Sequence, residues 1–135
     1  MRRLFAVLPL ACAIGLPAAA QPAPAPDWSS AQIIEIDLRN FAFSPASLTL
    51  KQGVPYRLHF VNQASGGHDY SAKDFFAAAT IDPEDQAAVT AGKVSLKGSQ
   101  SADVRLIATQ TGHFDVICTH MMHATMGMRG EVVVE

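Results

Sequence analysis

An all-β fold, a sandwich of about seven short strands with a short helical insertion, is what this sequence predicts, on three observations. Apolar and polar residues alternate with a period of two in several separate runs, the pattern of strands with one buried face. Turn-forming residues, among them Ser44-Pro45, Gly53 and Gly112, punctuate those runs at short intervals. Only one stretch, Ser71 to Gly92, breaks the rhythm.

The first strand starts at Ile33, where Ile34, Ile36 and Leu38 share one face against Glu35 and Asp37. Phe41, Phe43, Leu48 and Leu50 continue the apolar row up to Gly53, and Tyr56, Leu58 and Phe60 alternate with Arg57 and His59. Within the insertion, Ser71 with Asp74 resembles a capping box before Phe75-Phe76-Ala77, with both phenylalanines as helix core. Asp82-Pro83-Glu84-Asp85 reads as a second, stronger helix start, because proline suits the first helical position and acids suit the dipole there. Strands resume at Val94 to Leu96, Ala102 to Ala108 and Gly112 to Cys118. The last runs from Gly130 to Glu135, with Val132 and Val134 inward.

The chain has 135 residues, enough for one domain with a sizeable core and too few for two. Its beginning reads as a secretory signal peptide over residues 1–20. Arg2 and Arg3 supply the charge, Leu4 to Leu16 the apolar run, and Ala18-Ala19-Ala20 the small-residue cleavage site. The expected product starts at Gln21 in the periplasm, without a membrane span, because the apolar run is too short to cross a bilayer comfortably. Cys12 lies early in that run, behind Pro9-Leu10-Ala11, a context that fits lipidation poorly. Residues 21–31 read as a Pro/Ala-rich linker whose Gln21-to-Asp27 part is an extended tether, and residues 32–135 as the domain.

Cleavage would remove two of the 10 basic residues and leave 8 against 12 acidic ones, a net charge of −4. Such a balance argues against nucleic acid or anionic lipid as partner. Of the 2 cysteines only Cys118 would survive. A lone thiol in an oxidising compartment is a liability unless it is a small buried hydrophobe or holds a metal. Parity places Phe114, Val116 and Cys118 on one face of their strand, so the thiol ends a core-facing row.

Around that thiol the sequence is Cys118-Thr-His120-Met121-Met122-His123-Ala-Thr-Met126-Gly-Met128, a concentration of thiolate, imidazole and thioether. Soft sulfur with imidazole selects copper, and two histidines, a cysteine and a weak axial methionine form the mononuclear electron-transfer arrangement. Zinc competes for Cys and His, but a Met ligand is unusual for it. His68, in Gly66-Gly67-His68-Asp69 just after the Tyr56-to-Asn62 strand, is placed to supply the further imidazole.

In these residues the chain resembles the plastocyanin/azurin family of cupredoxins, from Ile33 to its end. The upstream half of the likeness is Phe41-x-Phe43-x-Pro45-x-x-Leu48-x-Leu50-x-x-Gly53, then Asn62 and His68. Its downstream half is Cys118-x4-His123-x4-Met128-x-Gly130, closing on Met-x-Gly-x-Val-x-Val. The Cys-to-His spacing is similar to that of azurins, and His-Ala-Thr-Met-Gly-Met looks like the pseudoazurin and plastocyanin loop. The resemblance implies a Greek-key sandwich holding one copper ion through His68, Cys118, His123 and Met128. It further implies a single-electron carrier, not an enzyme, that meets redox partner proteins near His123 as a monomer.

Two departures stand out. Asp69 occupies a position that is usually Asn in the family, where that residue ties the two ligand loops together. An ionised Asp69 would favour Cu(II) and lower the potential. His120, Met121, Met122 and Met126 are additional donors. Met126 rivals Met128 at a shorter loop spacing, although the Met-x-Gly register favours Met128. His120 could stand in for His123, or form with the methionines a docking rim or a second Cu(I) site. That donor-rich loop motivates a second reading, a periplasmic copper-binding or copper-resistance protein that sequesters or delivers the metal. A copper-dependent oxidase or reductase is a weaker third, since no second copper centre is visible in the sequence. His59 and His113 read as solvated histidines without a role.

Overall fold

The computed structural model describes residues 19–135. The signal-peptide features at Arg2, Arg3 and Leu4 to Leu16, and Cys12, lie outside the described residues. Ten strands form two five-stranded sheets packed face to face. The first sheet contains β1 (Gln32–Arg39), β2 (Ala42–Ser44), β4 (Pro55–Asn62), β6 (Ala79–Ile81) and β8 (Ser101–Ala108), in the order β2-β1-β4-β8-β6. The second contains β3 (Ser47–Leu50), β5 (His68–Ser71), β7 (Lys93–Leu96), β9 (Gly112–Ile117) and β10 (Arg129–Val134), in the order β3-β10-β9-β5-β7. Neighbours distant in sequence, such as β1 parallel to β4 and β3 parallel to β10, are joined by the long returns of Greek-key connections.

The alternation in sequence becomes the two inner faces. Ile36 and Leu38 of β1, Tyr56, Leu58 and Phe60 of β4, and Val104 and Leu106 of β8 are buried from one sheet. Leu48 and Leu50 of β3, Val116 of β9, and Val132 and Val134 of β10 meet them from the other. Burying one such side chain contributes about 1.5–3 kcal/mol, so this layer supplies most of the driving force. Gly130 is required by close approach: a Cβ there would stand 2.4 Å from the carbonyl oxygen of Ala46, backbone that cannot give way.

The count of ten strands exceeds the expected seven because the Phe41-to-Leu50 segment divides into two strands on different sheets and two short strands, β5 and β6, lie on either side of the helix. The insertion holds one helix, α1 (Lys73–Ala77), with Phe75 and Phe76 buried as predicted. Its N-cap is Ala72, without a side-chain cap, because Ser71 is committed to β5. No helix starts at Asp82. That carboxylate is buried, accepts the Glu84 N–H at 3.0 Å and stands 2.9 Å from Arg105, which also draws in Glu84 and Asp85. The acids serve one guanidinium rather than a helix dipole, and only a single 3-10 turn, Gln86–Ala88, follows.

After residues 21–27, Asp27 caps a 3-10 turn at Trp28–Ser30, and Trp28 lines a cleft with Arg57, Asp103 and Arg105. His59 also departs from expectation, since it is half-buried with Nδ1 2.8 Å from Asp103, which Arg57 grips with two nitrogens. Among the described residues no helix is long and apolar enough to cross a membrane.

Candidate metal centre

Three backbone features assemble the site at one end of the sandwich. The turn leaving β4 is organised by Asn62, whose amide donates to the carbonyls of Gly66 and Lys97 while its oxygen accepts the Ala64 N–H. That turn delivers His68 as the first residue of β5. Cys118 follows directly on β9, continuing its inward row. The 118–128 loop is closed at its base by backbone bonds from Cys118 N–H to Met128 O, 3.2 Å, and from Met128 N–H to His123 O, 2.9 Å.

His68, Cys118 and His123 converge, with one donor atom of each lying within 4.8 Å of the others. The Cys118 sulfur is 3.4 Å from Nδ1 of His123 and 3.9 Å from Nδ1 of His68. Donors about 2.0–2.3 Å from one ion at near-tetrahedral angles stand about 3.3–3.8 Å apart, close to both sulfur–nitrogen separations. His68, Cys118 and Met128 are buried and His123 is half-buried. Of the two methionines the sequence offers for the axial position, Met128 is fully buried and Met126 is 56% exposed.

The electrostatics suit a cation. Burial pushes the Cys118 thiol up, partly offset by the backbone amides of Asp69 and His120 facing the sulfur. A thiolate this deep therefore needs positive charge beside it, which a metal supplies. Burial, with His123 and His120 nearby, pulls His68 down, which keeps it a neutral donor.

Partners outside the donor set hold the ligands in place. Nε2 of His68 lies 3.2 Å from Oδ1 of Asn40, a partner that holds the ring with Nδ1 facing the sulfur. Asp69 is buried and receives the Thr119 N–H at 2.8 Å and the Thr119 hydroxyl, so it ties β5 to the Cys118 loop. Lys93 reaches the same carboxylate at 3.5 Å. Asp69→Asn keeps the amide-facing oxygen and removes one negative charge. We expect a higher reduction potential for the variant, by on the order of 60 mV, the shift of a tenfold change in a one-electron equilibrium. Voltammetry of the two copper-loaded proteins measures it, and a fall in potential would contradict the assigned role.

Asn40, Phe41, Thr119 and Lys93 were not singled out as site residues by sequence. Phe41, at φ 62°, sets its ring edge-on to His123 at 5.3 Å between centroids. A faint signal existed in Arg39-Asn40-Phe41, a polar break between two alternating runs where asparagine suits a tight turn. His120 stays outside the convergent three, stacked on His123 at 5.5 Å with Nε2 3.8 Å from Asp69. His113 is exposed and 3.8 Å from Glu131, apart from the cluster.

A β-sandwich with one buried thiol between two imidazoles and a buried methionine at the loop's end is a mononuclear copper site. Residues 31–135 match the copper-binding proteins of the plastocyanin/azurin family, and the chain belongs to that family. Among solved structures it is similar to dithionite-reduced auracyanin from Roseiflexus castenholzii, at 22% identity over 78% of this chain and 98% of that one, TM-score 0.57. Auracyanin A of Chloroflexus aurantiacus, described as a blue copper protein, matches at 23% identity over 76% and 98%, TM-score 0.54. A multicopper oxidase from Pseudomonas thermotolerans shares the fold at 18% identity over 89% of this chain and 33% of its own, TM-score 0.63. No curated protein sequence matches.

Proposed function

We propose that this protein is an exported, periplasmic single-electron carrier that meets its redox partners at the rim around His123. The observation that carries the reading is the gradation of burial across the donors. Three are sealed from solvent, and the half-buried His123 alone connects the centre to the surface, flanked by Phe41 and by exposed Met121 and Met122. Copper supplies the one-electron couple. The protein's part is to keep the donors still, through the strands that carry His68 and Cys118, the closed loop base and the Asp69 and Asn40 tethers.

A sealed ion can exchange electrons but admits no substrate, which favours a carrier over a catalyst. The apolar, deformable rim suits brief encounters, whose interfaces often bury less than about 1,200 Å². Export rests on the signal-peptide pattern of residues 1–20.

Anaerobic titration of the copper-loaded protein with a one-electron reductant tests the reading. One electron per copper should bleach the visible absorption, reoxidation should restore it, and no copper should pass to the solution. Release of the ion on reduction would instead mark a delivery protein.

A further inference from the structure

We infer that the loop between Cys118 and Met128 carries a second, exchangeable Cu(I) site on its outer face, formed by the thioethers of Met121, Met122 and Met126 with the imidazole of His120. The inference goes beyond the carrier reading and does not depend on it.

Methionine is distributed unusually. Apart from Met1, every methionine of the chain lies between positions 121 and 128. The core is built from Ile, Leu, Val, Phe, Tyr and Ala, with Cys118 and Met128 of the metal centre as its sulfur-bearing residues. Elsewhere the fold meets its need for apolar side chains without thioethers, so sulfur rather than bulk distinguishes the loop. Met121, Met122 and Met126 are 88%, 60% and 56% exposed, so they serve no packing role that a buried side chain would.

The backbone gathers these groups. His123 N–H bonds the carbonyl of His120 at 3.1 Å, so Met121 and Met122 occupy the two central positions of one tight turn. Met126 N–H bonds the carbonyl of Met122 at 2.9 Å, which holds those two residues at the ends of the next turn. Met122 adopts φ 68°, a left-handed conformation that glycine or asparagine fills at lower cost. Keeping a methionine there points to a use for its side chain. His120, half-exposed and stacked on His123, adds a nitrogen donor on the same loop. Neutral thioethers with an imidazole prefer Cu(I) to divalent ions, and an exposed, loop-borne set favours exchange over permanent retention.

The test uses the protein with its buried centre already filled with Cu(I), so that the added ion cannot be consumed by electron transfer. Cu(I) is added anaerobically against bicinchoninate, a competing Cu(I) chelator. One further equivalent should bind, more weakly than the first. The triple variant Met121→Leu, Met122→Leu, Met126→Leu keeps the apolar surface and removes the sulfur. Its affinity for the extra equivalent should fall by more than the about 10–100-fold that disturbing an outer-shell partner costs, and the visible band of the variant's separately prepared Cu(II) form reports its fold. Met121→Leu alone, at the most exposed position, repeats the test with least disturbance to the loop and should weaken binding measurably. Cys118→Ser should lose the buried centre yet keep the loop equivalent, which separates failure of this site from failure of the copper-centre assignment. Absence of a second equivalent in the wild type, or equal affinity in the leucine variants, overturns the inference.

Discussion

Replacing Cys118 with serine should abolish the intense visible absorption of the copper-loaded protein while leaving the sandwich folded. The absorption is a charge transfer from thiolate to copper, and Cys118 is the one free cysteine among the described residues. Serine is nearly isosteric, so no cavity opens. A buried hydroxyl lacking full partners costs about 1–3 kcal/mol, and the amides of Asp69 and His120 that face the sulfur offer it partial compensation. Against a typical stability of about 5–15 kcal/mol the fold survives. The visible spectrum and a thermal melt of the variant measure both halves. A retained band would place the thiolate elsewhere, and an unfolded variant would make Cys118 chiefly a core residue.

Met128→Leu should keep copper bound and raise the reduction potential by about 60 mV or more, the equivalent of a tenfold loss of preference for Cu(II). Leucine conserves the apolar volume at this fully buried position, so the packing cost stays below about 1.5 kcal/mol. Met126→Leu, at an exposed position, should change neither potential nor spectrum. Voltammetry of the two variants distinguishes them, and the reverse pattern would move the axial role to Met126.

The buried centre was legible because strand parity is a local property. Val116 and Cys118 share a face whatever surrounds them, and His123 and Met128 follow at spacings that a short closed loop imposes. Gly130 was readable by pattern, and its cause is the carbonyl of Ala46 pressed against it. The tether at Asp69 was legible only through the family resemblance, since its bond to the Thr119 N–H spans 50 positions.

What escaped depends on partners far apart in sequence. Asn40 meets His68 across 28 positions and Lys93 meets Asp69 across 24, distances at which no local pattern carries information. The same reason explains the helix start misread at Asp82. Proline and acids there satisfy the local rules, but Arg105, a strand residue 20 positions beyond Asp85, competes for the carboxylates and wins. Splitting Phe41 to Leu50 between two sheets is likewise set by pairing with β1 and β10, not by the segment itself.

X-ray absorption at the copper edge tests the central claim, a single ion held by His68, Cys118 and His123, most directly. The oxidised protein should show one short copper–sulfur distance and two imidazole nitrogens, with any second sulfur long and weak, and the set should persist after reduction. A first shell of nitrogen and oxygen alone, or one with two equally short sulfurs, would contradict it.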